Sequence, residues 1–165
     1  MICVGLPTIS RTFKRWCGEP LAFTFGGKPV IDRDGAPVFA ELAIMLDMRA
    51  AGWDAVWTEA FGHLRFWQTM PTSWKAKSDA TLPPELQTLI RRIIQKAGNT
   101  AACLDVVAWR GGEILFCEAK QHGKDHLTSP QKQFIKGALD CGLTRDNFQM
   151  VEWHFEPACE ERGVA

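Results

Sequence analysis

Cys103-Leu-Asp-Val-Val-Ala-Trp-Arg-Gly-Gly-Glu-Ile-Leu-Phe-Cys-Glu-Ala-Lys120 reads as two short apolar strands joined by a tight turn. Val106 and Val107 fall in the first strand, and Ile114, Leu115 and Phe116 in the second. Gly111-Gly112 between such runs is a two-residue hairpin signal. With those glycines as the loop, Arg110 faces Glu113, Trp109 faces Ile114 and Asp105 faces Glu118. Two carboxylates then lie opposite each other with Cβ atoms about 5 Å apart, an arrangement that is destabilising unless something neutralises it. Lys120 stands two residues beyond Glu118 and projects from the same sheet face. Charges in a strand flanked by apolar runs are seldom idle.

Working outward, a helix is expected between Pro37 and Gly52, with Val38, Leu42, Met45 and Arg49 on one side. Glu41 borders that apolar stripe, either as a first-turn glutamate favoured by the helix dipole or as an acid aimed into a site. Trp53 to Glu59 reads as a strand, with Glu59 at its end either solvated or part of a site. Residues 60–82 look irregular. Their aromatics, interleaved with His63, Arg65, Lys75 and Lys77, suit a loop pinned to the core better than a nucleic-acid stacking surface. A second helix is expected over 84–97, opened by Pro83-Pro84 and ended by Gly98-Asn99.

After the hairpin, Gln121 to Leu127 is a polar loop. A third helix starts at Thr128-Ser129-Pro130, where Thr128 and Gln131 have capping-box spacing, and Gly142 stops it. A last strand runs from Phe148 to Phe155. Residues 1–37 read as a surface extension carrying a small basic cluster, Arg11, Lys14 and Arg15. Within it, Leu21 to Phe25 and Lys28 to Ile31 are candidate hairpin strands, and Asp34-Gly35 is a further turn signal. The tail from Glu156 reads as frayed. The sum is an α/β protein, a mixed central sheet flanked by helices.

The length of 165 residues suits one domain. With 46% hydrophobic and 23% charged residues, nothing suggests bulk disorder. A formal net charge of zero excludes a strongly basic coat, so any nucleic-acid binding must use local patches. The six cysteines include no C-x-x-C pair, which argues against a zinc site and for free thiols in a reducing compartment. No basic start leads into an apolar run, and no window approaches the roughly 18 apolar residues of a membrane span. A cytoplasmic protein with no membrane partner is the expectation.

A divalent cation would resolve the conflict between Asp105 and Glu118. Mg²⁺ or Mn²⁺ prefers carboxylate oxygens and retains several waters. It eases deprotonation of a water and polarises a phosphate oxygen, while Lys120 can orient the water or stabilise growing charge. That chemistry points to phosphodiester hydrolysis. The competing reading of the same residues is a solvated strand in which Lys120 alone relieves the two acids.

Asp105, twelve intervening residues, then Glu118-Ala119-Lys120 resembles the active-site core of the PD-(D/E)XK nuclease superfamily. Leu104 to Trp109, Phe116 to Lys120, and Asp125-His-Leu-Thr-Ser-Pro-Gln131 resemble three motifs of its VRR-NUC branch. The resemblance covers roughly residues 38–155 and is strong only over 103–135. It implies a restriction-endonuclease-like core in the order αβββαβ, with an insertion at about 60–100, acting on DNA, including branched or flapped forms, with Mg²⁺ or Mn²⁺. By position it makes Glu41, Asp105, Glu118 and the Ala119 carbonyl metal ligands, Lys120 the catalytic lysine and Gln131 a site residue. A capping box explains Gln131 equally well. Leu104 departs from the family's usual proline, and residues 60–82 have no counterpart. From Glu118 to Lys136, four lysines face two acids, a local positive balance for phosphate. A homodimer is an expectation by analogy alone. Two other functions remain open: a catalytically silent interaction module on the same fold, and a hydrolase of a small phosphorylated molecule.

Overall fold

The computed structural model describes residues 5–60, 63–98 and 102–158. In chain order the elements are β1 (Thr8–Arg15), β2 (Ile31–Arg33), β3 (Ala36–Val38), α1 (Ala40–Ala50), β4 (Asp54–Glu59), β5 (Arg65–Trp67), α2 (Pro84–Lys96), β6 (Val106–Arg110), β7 (Glu113–Gln121), α3 (Ser129–Asp140) and β8 (Phe148–Phe155). A single 3₁₀ turn, Arg145–Asn147, leads into β8. The strands form one open, mixed, eight-stranded sheet in the order β3-β2-β1-β8-β7-β6-β4-β5. β8 runs parallel to both of its neighbours, β1 and β7, while every other pairing is antiparallel.

Period-two alternation along β6 and β7 splits the core into two layers. Val106, Ala108 and Cys117 point to the side covered by α1, where Leu42, Ala43 and Met45 pack with Trp57 of β4. Val107 and Phe116 point to the other side, against Leu86, Ile90 and Ile93 of α2 and Phe134, Ile135 and Ala138 of α3. The Phe116 ring meets Phe134 edge-on at 5.2 Å and stacks on Phe148 at 6.0 Å. Helices on both faces of a central sheet make this a three-layer α/β fold. No helix among the described residues is long and apolar enough to cross a membrane.

Two expectations about the N-terminal third are corrected. Residues 8–38 are not a surface extension: β1, β2 and β3 continue the main sheet beyond β8. β1 carries only two half-buried apolar side chains, Ile9 and Phe13, so its sequence shows little strand patterning. Its backbone is recruited because β8 has a bare edge to fill, and Ile9 pairs with Val151 and Phe13 with Phe155. The segments expected as hairpin strands, Leu21 to Phe25 and Lys28 to Ile31, do not pair with each other; only Ile31 is in a strand, as the first residue of β2. The hairpin lies one step later, around Asp34-Gly35, whose φ values of +52° and +83° suit the turn.

The first helix also starts late. Pro37 belongs to β3, opposite Asp32, on the outer edge of the sheet, where a missing N–H costs nothing. Phe39 keeps extended dihedrals as the helix N-cap, which leaves Glu41 in the first turn of α1. The other predicted elements form within a residue or two of their expected bounds, and the irregular stretch after β4 contains the short strand β5. Phe61, Asn99, Cys3, Cys159 and the tail from 159 onward lie outside the described residues. Of the described cysteines, all free, Cys103 and Cys117 are buried.

Candidate active site

The β6–β7 register runs from Arg110↔Glu113 to Val106↔Cys117, with Gly111 at φ +58° in the turn. One step further places Asp105 opposite Glu118, as the sequence implies. There the ladder changes character. The Asp105 backbone N–H donates to Glu118 Oε2 at 3.2 Å, and the Ala119 N–H donates to Asp105 Oδ2 at 2.9 Å. Each acid thus takes a backbone amide that strand pairing would otherwise use. Thr58 of β4 fixes the same corner: its N–H donates to the Asp105 carbonyl and its hydroxyl to the Leu104 carbonyl, both at 2.8 Å. In an antiparallel strand a residue's N–H and C=O point the same way, so the Ala119 carbonyl faces the Asp105 side, past the end of β6.

Glu118 is 1% exposed and is the most heavily bonded acid of the group. Its Oε1 receives Lys120 Nζ at 2.7 Å and Gln131 Nε2 at 2.5 Å. Lys120 Nζ also donates to Gln131 Oε1 at 3.1 Å, closing a three-membered network. Gln131 sits at the third position of α3, where the capping box forms: the Thr128 N–H donates to Gln131 Oε1 at 2.9 Å. The two readings of Gln131 are therefore compatible. One amide side chain caps the helix and holds Glu118 and Lys120 together.

Glu41 enters from the opposite face, on α1, nearly buried, and Lys28 Nζ lies 2.5 Å from its Oε1. Lys28 and Thr58 are the two participants that sequence reasoning missed. Lys28 follows Gly26-Gly27 in a segment without strand or helix, and nothing in its local pattern marks it. A cavity of about 230 Å³ opens beside this pair, lined by Lys28, Pro29, Ala40, Glu41, Ala119, Asp125 and Trp153. A larger cleft of about 620 Å³ lies away from the acids, between β1, β2 and α1. Its Arg11 and Arg33 are both engaged with Asp47, and its Lys14 with Asp32.

The electrostatics follow from this crowding. Burial, then the charges of Glu118 and Glu41, push the Asp105 carboxyl well above the usual range, against the pull of Lys28 and the Ala119 amide. Burial raises Glu118 as well, while Lys120 and hydrogen bonds hold it down. For Lys28, burial opposes the charged form, but Glu41, Asp105 and Glu59 together outweigh it and raise the ammonium above its ordinary value. Three acids thus share two lysines, and among the described residues no lysine lies within ion-pair distance of Asp105.

The oxygen groups at this corner, the Asp105 and Glu118 carboxylates and the Ala119 backbone carbonyl, are of the kind that Mg²⁺ or Mn²⁺ prefers and zinc does not. Asp105 and Glu118 adjoin at the end of the hairpin, linked through the Asp105 N–H and flanked by Ala119, whose N–H donates to Asp105. Glu41 is instead engaged by Lys28. Among the described residues, no three acidic, histidine or cysteine side chains form a group that could hold a metal ion. No family model, no curated protein and no solved structure matches the chain.

Proposed function

We propose that this chain is a divalent-metal-dependent nuclease that hydrolyses DNA phosphodiesters, with the restriction-endonuclease-like core of the PD-(D/E)XK superfamily and its VRR-NUC branch. The observation that carries the reading is the end of the β6–β7 hairpin, where Asp105 meets Glu118 in register and Lys120 and Gln131 bond the same Glu118 oxygen. The element order supports it. With β5 and α2 taken as the insertion, α1, β4, β6, β7, α3 and β8 follow one another as αβββαβ.

Asp105, Glu118 and the Ala119 carbonyl would hold Mg²⁺ or Mn²⁺, with Glu41 completing the set. The ion would supply Lewis acidity, lowering the pKa of a water and drawing charge from a phosphate oxygen. The chain's own residues do the rest. Lys120, 2.7 Å from Glu118, orients the attacking water and stabilises charge growing on the phosphate. Gln131 keeps Lys120 and Glu118 in fixed relation, and the helix cap prevents that amide from rotating away. The Ala119 amide and Thr58 hold Asp105 in place against repulsion from Glu118 and Glu41.

One observation favours the silent-module alternative: lysines already pair two of the three acids. Labelled duplex, flapped and branched DNA incubated with Mn²⁺ separates the two readings. Cleavage by the wild-type protein, reduced about 100-fold or more in Lys120→Ala, is the expected result. Equal cleavage by both proteins, or none by either, overturns the nuclease.

A further inference from the structure

Thr24-Phe-Gly-Gly-Lys28 is a built turn. The Thr24 carbonyl accepts the N–H groups of Gly27 and Lys28 at 3.2 and 2.8 Å, and Thr24 Oγ1 accepts the Gly27 N–H at 3.1 Å. Phe25 takes φ +50°, rare for a side chain of its size, because its ring is locked among Phe23, Phe39, Trp57 and Trp74. Gly26 and Gly27, at φ +80° and +116°, then turn the chain so that Lys28 reaches Glu41. The side chain of Lys28 is 29% exposed against 11% for Glu41, and both line the cavity that also includes Ala119 and Asp125. The lysine can therefore withdraw into open space, whereas the glutamate is fixed on its helix.

We infer that Lys28 is the protein's own cation at the metal seat: its ammonium holds Glu41 and must leave before a divalent ion can take that carboxylate. The inference rests on the metal site of the proposed nuclease and adds a competitor to it. An ammonium at 2.5 Å satisfies one carboxylate oxygen and screens the acid cluster when no metal is present. Lys120 cannot act in this way, since it is tied to Glu118 within one strand and to Gln131.

Titration calorimetry with Mn²⁺ alone, on the full chain at fixed pH and salt, tests this with wild type, Lys28→Gln, Glu41→Gln and the double variant. Lys28→Gln is expected to tighten Mn²⁺ binding by about tenfold, the scale of a close charge pair. In the Glu41→Gln background the same change should shift affinity by less than about twofold, because there is no carboxylate left to compete for. Lys28→Arg keeps the ion pair and the fold, grips the carboxylate through two N–H groups, and should weaken Mn²⁺ binding. Unchanged affinity in both Lys28 variants overturns the inference while leaving the nuclease intact. So does equal tightening with and without Glu41, which would report a general field rather than competition. If neither wild type nor Lys28→Gln binds Mn²⁺, the metal site itself falls, and the inference with it.

Discussion

Two lysine–glutamate pairs sit on either side of the same sheet, and they differ in how they are held. Lys120 and Glu118 are two residues apart on β7, 2.7 Å from each other, and both are clamped by Gln131. Lys28 and Glu41 are joined across a turn and a helix start, at 2.5 Å, with a cavity beside them. The first pair is fixed by strand geometry and a helix cap, so its lysine stays where chemistry would need it. In the second, the turn fixes only the backbone of Lys28, and its partly exposed side chain has room to leave the glutamate. That difference is why we propose different roles for two chemically similar pairs, one in catalysis and one in control of metal entry.

The largest expected effect tests that division. Lys120→Ala should reduce Mn²⁺-dependent DNA cleavage by about 100-fold or more while leaving Mn²⁺ binding measurable, whereas Lys28→Gln should alter cleavage by less than about tenfold. Equal losses in the two variants, measured as initial rates on one DNA substrate, would erase the distinction.

The next effect concerns the acid that neither lysine pairs. Asp105 has a folded-state pKa raised above its unfolded value, so the folded protein binds that proton more tightly. Its ionisation therefore costs stability above the folded pKa, and the cost disappears as pH falls toward the ordinary carboxylate range, about 4. Without metal, Asp105→Asn should melt several degrees higher than wild type at neutral pH. That advantage should shrink as the pH is lowered. A variant that melts lower than wild type at neutral pH would mean that Asp105 stabilises the corner through its bonds more than it strains it.

Gln131 sharpens the comparison from the side of the clamp. Gln131→Ala removes half of the capping box and should cost about 1 kcal/mol in urea unfolding. Gln131→Glu can still cap the helix but sets another carboxylate against Glu118. It should restore neither the full stability nor cleavage, because a carboxylate cannot donate to Glu118 and repels it instead. Recovery of both would reduce Gln131 to a cap. The turn variant is expected to change stability alone. Gly111→Ala, at φ +58°, should cost about 1 kcal/mol or slightly more and leave the register unchanged, since nothing lies within 4 Å of the added methyl group.

The same contrast explains how much the sequence could reveal. The β6–β7 register is legible because two glycines between apolar runs set it, and period-two alternation then places Asp105, Glu118 and Lys120. The cap at Thr128 and Gln131 is legible because it spans three residues. β1 is not, since Ile9 and Phe13 are its only apolar side chains, and its partner β8 lies some 140 residues away. The start of α1 is misread because Pro37 suits an edge strand as well as a first helical turn. Lys28 is invisible for the same reason as β1: its place at Glu41 depends on the packing of Phe25 among distant aromatics. Arg65, buried on β5 with its guanidinium donating to the Trp74 and Ala76 carbonyls, looked from sequence like one of several loop cations.

The proposed divalent-cation seat is formed by Asp105 and Glu118 at the end of the hairpin. Calorimetric titration of Mn²⁺ into wild type and Asp105→Ala at neutral pH tests it most directly. Saturable binding by the wild type, weakened at least about tenfold in Asp105→Ala, is the expected result. No saturable binding by the wild type, or binding undiminished in Asp105→Ala, would contradict it.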